Sequence, residues 1–309
     1  LQDVPILLRD TITSLASVNR GPNDSAVRPR RRMVLASGSP RRRSLLAEAG
    51  YDADDMLARA RSAQTIAAHE ANKARAMAEG VPGVLGIHIE GPFLDVARKG
   101  AHAARFIRDM EEADVDAIAG FAMYCPVMLT LAPNRVRPAL VQRLAKSGVL
   151  VSLGHSEASF AEARQALDAG ARSITHLYNA MSQMNGREPG MVGAALADED
   201  SYVGIIADGH HVHDAALRVA FAAKNPSRMM LITDAMPTAA GGPDSFELQG
   251  RTVTRSNGRL SLPDGTLAGS DLTMDAAVRY CVSVLGMELG AVLRMAALNP
   301  ATFLRCEHE

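Results

Sequence analysis

From residue 81 onward, short apolar runs alternate with longer stretches that have helical spacing. Six apolar runs end abruptly in polar residues, and they occupy 84–92, 127–133, 148–156, 173–181, 202–211 and 229–236. Residues 157–170 separate the third run from the fourth, and this segment ends in Gly170, a residue that favours the end of a helix. Strands that alternate with helices are typical of a parallel sheet with crossover connections. The pattern therefore predicts an α/β fold with six parallel strands.

A (β/α)8 barrel of the TIM type would need two strands more, and 309 residues are enough for one. The first 80 residues offer two candidates, VPILL at 4–8 and MVLAS at 33–37. The same segment is rich in arginine, and its Ala-rich part at 57–79 predicts one long helix. We therefore predict an atypical N-terminal segment at 1–80 and a barrel at 81–309.

Composition narrows the class of protein. Hydrophobic residues make up 47% of the chain, enough for a large core, and the net charge of -1 argues against a generic binder of nucleic acid or membrane surfaces. Three cysteines without paired spacing, Cys125, Cys281 and Cys306, argue against a disulfide framework and for a reducing compartment. The chain begins without a signal-peptide pattern and has no apolar stretch long enough to span a membrane, so we expect a cytoplasmic protein.

Five of the six apolar runs contain, at or near their ends, a residue that can bind a metal or move a proton: Glu90, His155, His176, His211 and Asp234. The carboxyl ends of parallel barrel strands meet at one mouth, so we expect these side chains to converge. Carboxylate and imidazole together suit a cation such as Zn²⁺. A polar cap on a strand end would explain any one of them, but three at equivalent ends favour a metal site.

Other candidates allow a structural explanation as well. His88 lies two residues before Glu90 on the same side of its strand, and a buried, hydrogen-bonded core histidine is favoured there over a ligand. The histidine-rich segment 208–213 is either a metal tract or a loop that binds an anion, and we favour substrate binding by His211. Asp234 would ligate a metal or act as a base.

Two further segments could contact a substrate. Arg187 lies in the loop NGREPG, where its guanidinium could bind phosphate or be an ordinary surface group. The segment GTLAGSDLTM at 265–274 predicts a glycine-containing turn that enters a helix, with free N–H groups for a polar substrate group or an anion.

Ten segments occur in the order expected for one family, from residue 80 to residue 305. They are GIHIEGPFL, KGAH, LTLAP, VSLGHS, THLYNAM, GREPG, ADGHHVH, TDAM, GTLAGSDLTMDAAVR and ALNPATFL. On these segments the chain resembles the N-acetylglucosamine-6-phosphate deacetylases of the amidohydrolase superfamily.

The resemblance implies roles for individual residues. It implies that Glu90, His155 and His176 bind one divalent metal ion, zinc, and that Asp234 is the catalytic base and acid. The substrate contacts it implies are His102, Asn179, Ala180, Arg187, His211, Leu267, Ala268 and Gly269. The implied reaction, a step of amino-sugar catabolism, is hydrolysis of N-acetyl-D-glucosamine 6-phosphate to acetate and glucosamine 6-phosphate by a metal-activated water. The arginine of GREPG would reach into the neighbouring subunit's site, which implies a homodimer.

The chain also departs from this family. Residues 1–68 contain no histidine, whereas the family's first strand carries a His-x-His motif, so we expect one metal ion rather than two. The chain stops at FLRCEHE, so we expect the family's small β-sandwich to be incomplete. Residues 33–51 resemble the opening of Maf-type nucleotide pyrophosphatases. A Maf-like nucleoside triphosphate pyrophosphatase and an inactive, truncated deacetylase therefore stay open as alternatives.

Overall fold

The computed structural model of the protein describes residues 86–123 and 125–306, with Ile87 described through its backbone alone. All six predicted strands form, as β1 Ile87–Glu90, β2 Val127–Leu131, β3 Leu150–Leu153, β4 Ser173–Ile174, β5 Tyr202–Ile206 and β6 Met229–Ile232. They pair in sequence order, every neighbouring pair is parallel, and the sheet curls into half of a barrel. The predicted α/β architecture is thereby confirmed.

Helices cover the outside of this sheet. They are α1 Glu112–Ala122, α2 Pro138–Lys146, α3 Phe160–Asp168, α4 Gly190–Ala197, α5 Asp214–Ala223, α6 Met274–Ser283, α7 Leu289–Leu293 and α8 Asn299–Phe303, with a π-helical turn, Arg294–Leu298, between the last two. Every position of β2, β3 and β6 is buried, because side chains on one sheet face fill the interior and those on the other face meet the helices. This double burial explains the continuous apolar runs.

Helix α3 lies within the predicted segment 157–170, with narrower bounds. Its first turn is held by a capping box, in which the Glu162 amide donates to the Ser159 hydroxyl at 3.3 Å and the Ser159 amide donates to the Glu162 carboxylate at 2.8 Å. At its other end Gly170 takes φ 111°, a conformation that glycine adopts without strain.

Between β6 and α6 the chain forms a second sheet, which we call the small sheet. Its strands are β7 Ser245–Leu248, β8 Arg251–Ser256, β9 Arg259–Ser261 and β10 Leu267–Ser270, antiparallel in the order β10-β9-β8-β7. The sequence analysis did not predict this sheet. The segment 265–274 is therefore not simply a turn into a helix, since Leu267–Ser270 is a strand and the helix begins only at Met274.

The small sheet packs onto the carboxyl end of β6. Its apolar side is formed by Val253, Leu260, Leu262 and Ala268. Strand β10 is joined to the segment after β6 by two backbone hydrogen bonds, from the Ser270 amide to the Asp234 carbonyl at 2.8 Å and from the Met236 amide to the Ser270 carbonyl at 2.9 Å. The small sheet therefore stands beside the barrel mouth.

Several sequence predictions fall outside the described residues. They are the strands at 4–8 and 33–37, the helix at 57–79 and the Maf-like segment at 33–51. Within the described part of the chain, all three cysteines are free thiols. None of the helices described has both the length and the apolar character that crossing a membrane requires.

Lys224 is a buried cation that connects α5 to the end of α4. Its ammonium group, in a residue that is 3% exposed, donates to the Ala195 carbonyl at 2.9 Å, to the Ser201 hydroxyl at 3.2 Å and to the Asp198 carbonyl. Replacing Lys224 with methionine keeps the apolar stem and leaves these acceptors without a donor. We expect the free energy of unfolding to fall by about 2–3 kcal/mol, measured by urea denaturation. Exposed Lys146→Met should change it by less than about 0.5 kcal/mol, and equal effects of the two variants would contradict this role for Lys224.

Candidate active site

Three of the predicted site residues converge at the carboxyl end of the parallel sheet. Glu90 is the last residue of β1, His155 follows β3 and His176 follows β4. The His155 Nε2 atom lies 3.2 Å from Glu90 Oε1, His176 Nε2 lies 3.4 Å from the same oxygen, and the two Nε2 atoms are 3.0 Å apart. Both histidine side chains are 7% exposed, so the three ligand atoms face each other in a nearly closed space.

The other nitrogen of His155 determines which atom faces the cluster. Its Nδ1 lies 2.9 Å from the carbonyl oxygen of Arg98, which accepts hydrogen bonds only, so Nδ1 carries the proton in the neutral ring. The lone pair on Nε2 then points at the carboxylate of Glu90. Two acceptors at this distance require a proton or a cation between them. A backbone carbonyl that orients an imidazole in this way is a common second partner of metal-binding histidines.

The electrostatics favour positive charge at the same point. Burial by itself would raise the pKa of Glu90, but hydrogen bonds to His155 and His176 hold it well below its usual value. Burial by itself would lower the pKa of His155, but the hydrogen bond and the negative charge of Glu90 raise it above its usual value. The carboxylate is therefore ionised at neutral pH and attracts a cation.

His102 is the fourth side chain of this group. Its Nε2 lies 3.8 Å from Glu90 Oε2, and its ring meets the ring of His155 edge-on, with centroids 4.8 Å apart. Burial lowers the pKa of His102 to about 4, which keeps the ring neutral. Glu90, His102 and His155 each offer a ligand atom within 4.8 Å of the others, so these residues form a candidate metal site. His102, expected at the substrate, thus also lies within reach of a metal.

The spacing of the donors can be compared with the spacing of the ligands around a metal ion. Tetrahedral ligands at about 2.0–2.2 Å from zinc stand roughly 3.3–3.6 Å from one another. The three distances among Glu90, His155 and His176 lie between 3.0 and 3.4 Å. His102 stands off at 3.8 Å from the carboxylate. Each of these distances lies within about 0.3 Å of that range, so Glu90 and His155, together with either His176 or His102, are spaced to hold one ion.

Asp234 lies two residues after the end of β6, which is the strand at the opposite edge of the parallel sheet from β1. Burial by itself would lower the pKa of His155, the hydrogen bond and charge of Glu90 raise it most, and the negative charge of Asp234 adds to that rise. His155, His176 and Asp234 all adopt positive φ, at 49°, 32° and 51°. These left-handed conformations are unfavourable for residues other than glycine and are found together at functional sites.

His211 is bound to a carboxylate of its own, outside the metal cluster. Its Nδ1 lies 2.6 Å from Asp208 Oδ2, and the backbone amides of His210 and His211 both donate to Asp208 Oδ1 at 2.8 Å. Burial opposes ionisation of Asp208, but the hydrogen bond from His211 lowers its pKa below the usual value. Strand β5 lies between β4 and β6, so this loop stands between His176 and Asp234. Sequence reasoning missed Asp208, although its position three residues before His211 was visible.

The remaining predicted contacts lie on two loops and on β10. Asn179 donates to the Leu177 carbonyl at 3.2 Å, and the Ala180 carbonyl accepts from the Ser156 amide at 3.1 Å, in the turn after His176. Arg187 is exposed, and no carboxylate among residues 86–123 and 125–306 forms an ion pair with it. The structure thus brings the turn close to the cluster and leaves Arg187 at the surface.

Strand β10 carries the last three predicted contacts, Leu267, Ala268 and Gly269. A Cβ atom at Gly269, where φ is 69°, would lie 2.3 Å from Met236 Cγ and 2.9 Å from the carbonyl oxygen of Asp234. Only glycine allows the strand to approach this closely, so β10 forms a wall next to Asp234.

His88 is hydrogen-bonded, as predicted, but its side chain is half-buried rather than part of the core. Its Nε2 lies 2.8 Å from Thr130 Oγ1, whose oxygen is in turn 2.8 Å from Thr175 Oγ1. Burial lowers the pKa of His88 to about 3, so the ring is neutral. The side chain supports the layer beneath Glu90.

Comparison with known proteins identifies related chains. A model of the family described as "Amidohydrolase family" matches residues 61–309. An N-acetylgalactosamine-6-phosphate deacetylase of Shewanella sp. (strain ANA-3) is 41% identical over 230 residues, which are 73% of this chain and 57% of the relative. An N-acetylglucosamine-6-phosphate deacetylase of Danio rerio is 39% identical over 236 residues, which are 73% of this chain and 58% of the relative.

A solved structure shares the fold. The crystal structure of N-acetylglucosamine-6-phosphate deacetylase from Pasteurella multocida superposes with a TM-score of 0.72 at 34% sequence identity, covering 76% of this chain and 63% of that one. The match spans less than two thirds of the length of each of these relatives.

Proposed function

Because this chain belongs to the amidohydrolase family, we propose that it removes the acetyl group from an N-acetylated amino-sugar phosphate. The substrate proposed is N-acetyl-D-glucosamine 6-phosphate, and the products are acetate and glucosamine 6-phosphate. The observation that carries the proposal is the convergence of Glu90, His155 and His176 within 3.4 Å of one another. Relatives named for deacetylation of either sugar epimer support it.

The proposed ligands of the metal ion are Glu90, His155 and His176, and the ion is zinc, one per chain. Its contribution when bound is that of a Lewis acid, which polarises the acetyl carbonyl and lowers the pKa of water toward about 7. The hydrogen bond from His155 Nδ1 to the Arg98 carbonyl leaves the lone pair of Nε2 free to bind the ion.

Asp234 performs the proton transfers. Its carboxylate takes a proton from the water that attacks the acetyl carbon, and the same oxygen then gives that proton to the amide nitrogen as the C–N bond breaks. Without the second transfer the sugar would have to leave as an amine anion, which is a very poor leaving group. His102 stands beside the cluster, where a neutral imidazole can hydrogen-bond the acetyl group or the sugar.

Of the two alternatives, the Maf-like pyrophosphatase has the weaker support. The segment that suggested it, 33–51, precedes the start of the family match at residue 61. The converging carboxylate and imidazole side chains of the described residues argue against an inactive remnant.

The direct test is acetate release by purified protein whose metal content has been measured. N-acetylglucosamine 6-phosphate and N-acetylgalactosamine 6-phosphate are compared, and unphosphorylated N-acetylglucosamine is the control. We expect turnover of a phosphorylated sugar with about one metal ion per chain. Failure of metal-loaded, folded protein to release acetate from either phosphate would refute the proposal, and pyrophosphate release from a nucleoside triphosphate would favour the Maf-like alternative.

Arg187 is the proposed contact to the substrate phosphate. A charge-assisted contact to phosphate is worth about 1.5–3 kcal/mol, or roughly ten- to a hundred-fold. We expect Arg187→Ala to raise KM for the phosphorylated sugar by this factor and to leave KM for the unphosphorylated sugar nearly unchanged. Exposed Arg294→Ala is the control and should alter neither KM. Equal increases for both sugars would show that Arg187 does not bind phosphate.

The proposed homodimer places Arg187 in the partner subunit's site. Mixed dimers of Arg187→Ala and Asp234→Asn chains would then contain one site with both native residues. Partial recovery of activity on mixing is the expected result, and its absence would place Arg187 in the site of its own chain.

A further inference from the structure

The turn between β7 and β8 holds the chain on both sides of His102. The amide of Ala103 donates to Gln249 Oε1 at 2.9 Å, and the guanidinium of Arg251 donates to the carbonyl of Ala101. These contacts join residues that are 146 and 150 positions apart in the sequence. The small sheet therefore forms hydrogen bonds with both peptide groups that flank this histidine.

The rest of the loop has few fixed points near His102. The His102 amide donates to the Lys99 carbonyl at 3.0 Å, within the same loop. Ala103 precedes a 3₁₀ turn without capping it, and its own amide donates to the side chain of Gln249. Ala101 also packs against the apolar side of the small sheet. The residues on both sides of His102 thus contact the small sheet.

Gln249 occupies a turn position that other residues fill more easily. Gln249 and Gly250 form a two-residue hairpin turn with φ of 53° and 79°, between the paired residues Leu248 and Arg251. Asparagine and glycine are preferred at such a position. A glutamine there carries a conformational cost and has a side chain long enough to reach Ala103.

We propose that Gln249 and Arg251 are positioning residues, which hold His102 against the cluster of Glu90, His155 and His176. The inference rests on the proposed function, because it assigns the small sheet a task at that same site. The small sheet then fixes the position of the fourth side chain of the group, through Gln249 in the turn and Arg251 at the start of β8.

The first test measures the contact itself and does not depend on catalysis. Gln249→Asn suits the turn better but is one methylene shorter. We expect amide hydrogen exchange in the peptide covering 101–106 to become faster by about tenfold, with a melting temperature equal to or above that of the parent. Thr252→Ala removes a hydroxyl that bonds Glu247 at 2.5 Å on the exposed part of the same hairpin, and it should leave this exchange unchanged.

Two outcomes would overturn the proposal. One is unchanged exchange at 101–106 in Gln249→Asn. The other is a fall in melting temperature with faster exchange throughout the chain, which would indicate a general structural role instead.

The second test asks whether the contact matters for the reaction. Arg251→Met should lower kcat/KM for the N-acetylated sugar phosphate by about tenfold, corresponding to one lost hydrogen bond. Arg251→Lys, which keeps a donor, should recover part of it, and metal content should stay at the parental level in both. Full activity in Arg251→Met would refute positioning. A parent that releases no acetate would instead contradict the proposed function, while the exchange measurement would still decide the contact between Gln249 and Ala103.

Discussion

Replacing Asp234 with asparagine is expected to lower kcat for acetate release by about 10²–10⁴-fold, toward the upper end of that range. The amide has almost the same size as the carboxylate, and the backbone hydrogen bond between Asp234 and Ser270 does not involve the side chain. Asparagine cannot take up a proton from water at neutral pH. Activation of the nucleophile and protonation of the departing amine therefore both fail in the variant.

The measurement combines kcat with metal content and melting temperature. Asp168→Asn is the matched control, because Asp168 pairs with Arg164 on the exposed side of α3 and should keep full activity. An Asp234→Asn protein that retains its metal and reaches within about tenfold of the parental kcat would remove Asp234 from the mechanism.

The second large effect concerns the metal. His155→Ala and His176→Ala should each reduce the metal content from about one ion per chain to nearly none, because a site with three protein ligands loses one of them. Elemental analysis after dialysis measures this directly and does not depend on activity. His210→Ala is the control, since His210 is exposed and takes no part in the cluster.

A further variant separates the two possible ligand sets. If Glu90, His155 and His176 bind the ion, His102→Ala keeps the metal. If His102 is a ligand in place of His176, His102→Ala loses the metal and His176→Ala keeps it. Two tightly held ions per parental chain would contradict the prediction of a single metal.

The strands and the convergence of their ends could be predicted from the sequence for one physical reason. Strands buried on both faces must be apolar throughout, so a polar residue marks where burial ends. Glu90 and His155 mark such ends, and parallel pairing brings those ends to one edge. The alignment of the strands therefore predicts the edge at which these side chains meet.

The small sheet could not be found by the same reasoning, because its strands are partly exposed and contain no continuous buried run. Its signals were local. Asn257 and Gly258 form a turn with φ of 50° and 77° between paired Ser256 and Arg259, a dipeptide that commonly marks a hairpin. Such strands contain no buried apolar run that would indicate them. The contacts of Gln249 and Arg251 with the loop of His102 could therefore not be predicted either.

Contacts made by the backbone are the other part that the sequence does not reveal. The carbonyl of Arg98, which orients His155, has no side-chain signature, because any residue at that position offers the same oxygen. Its placement depends on how the loop after β1 folds back. A sequence motif indicates which side chain is a ligand, but it does not indicate which backbone carbonyl orients that side chain.

The left-handed backbone at His155, His176 and Asp234 lowers the stability of the fold at the positions that the proposed reaction requires. Each such residue costs about 1–2 kcal/mol relative to a conformation it prefers, and glycine or asparagine would relieve much of that cost. Substitutions selected only for a higher melting temperature would therefore be favoured at these three positions, where they would also abolish the proposed catalysis. Substitutions intended to raise the melting temperature should therefore leave these three positions unchanged and be placed on the outer helices.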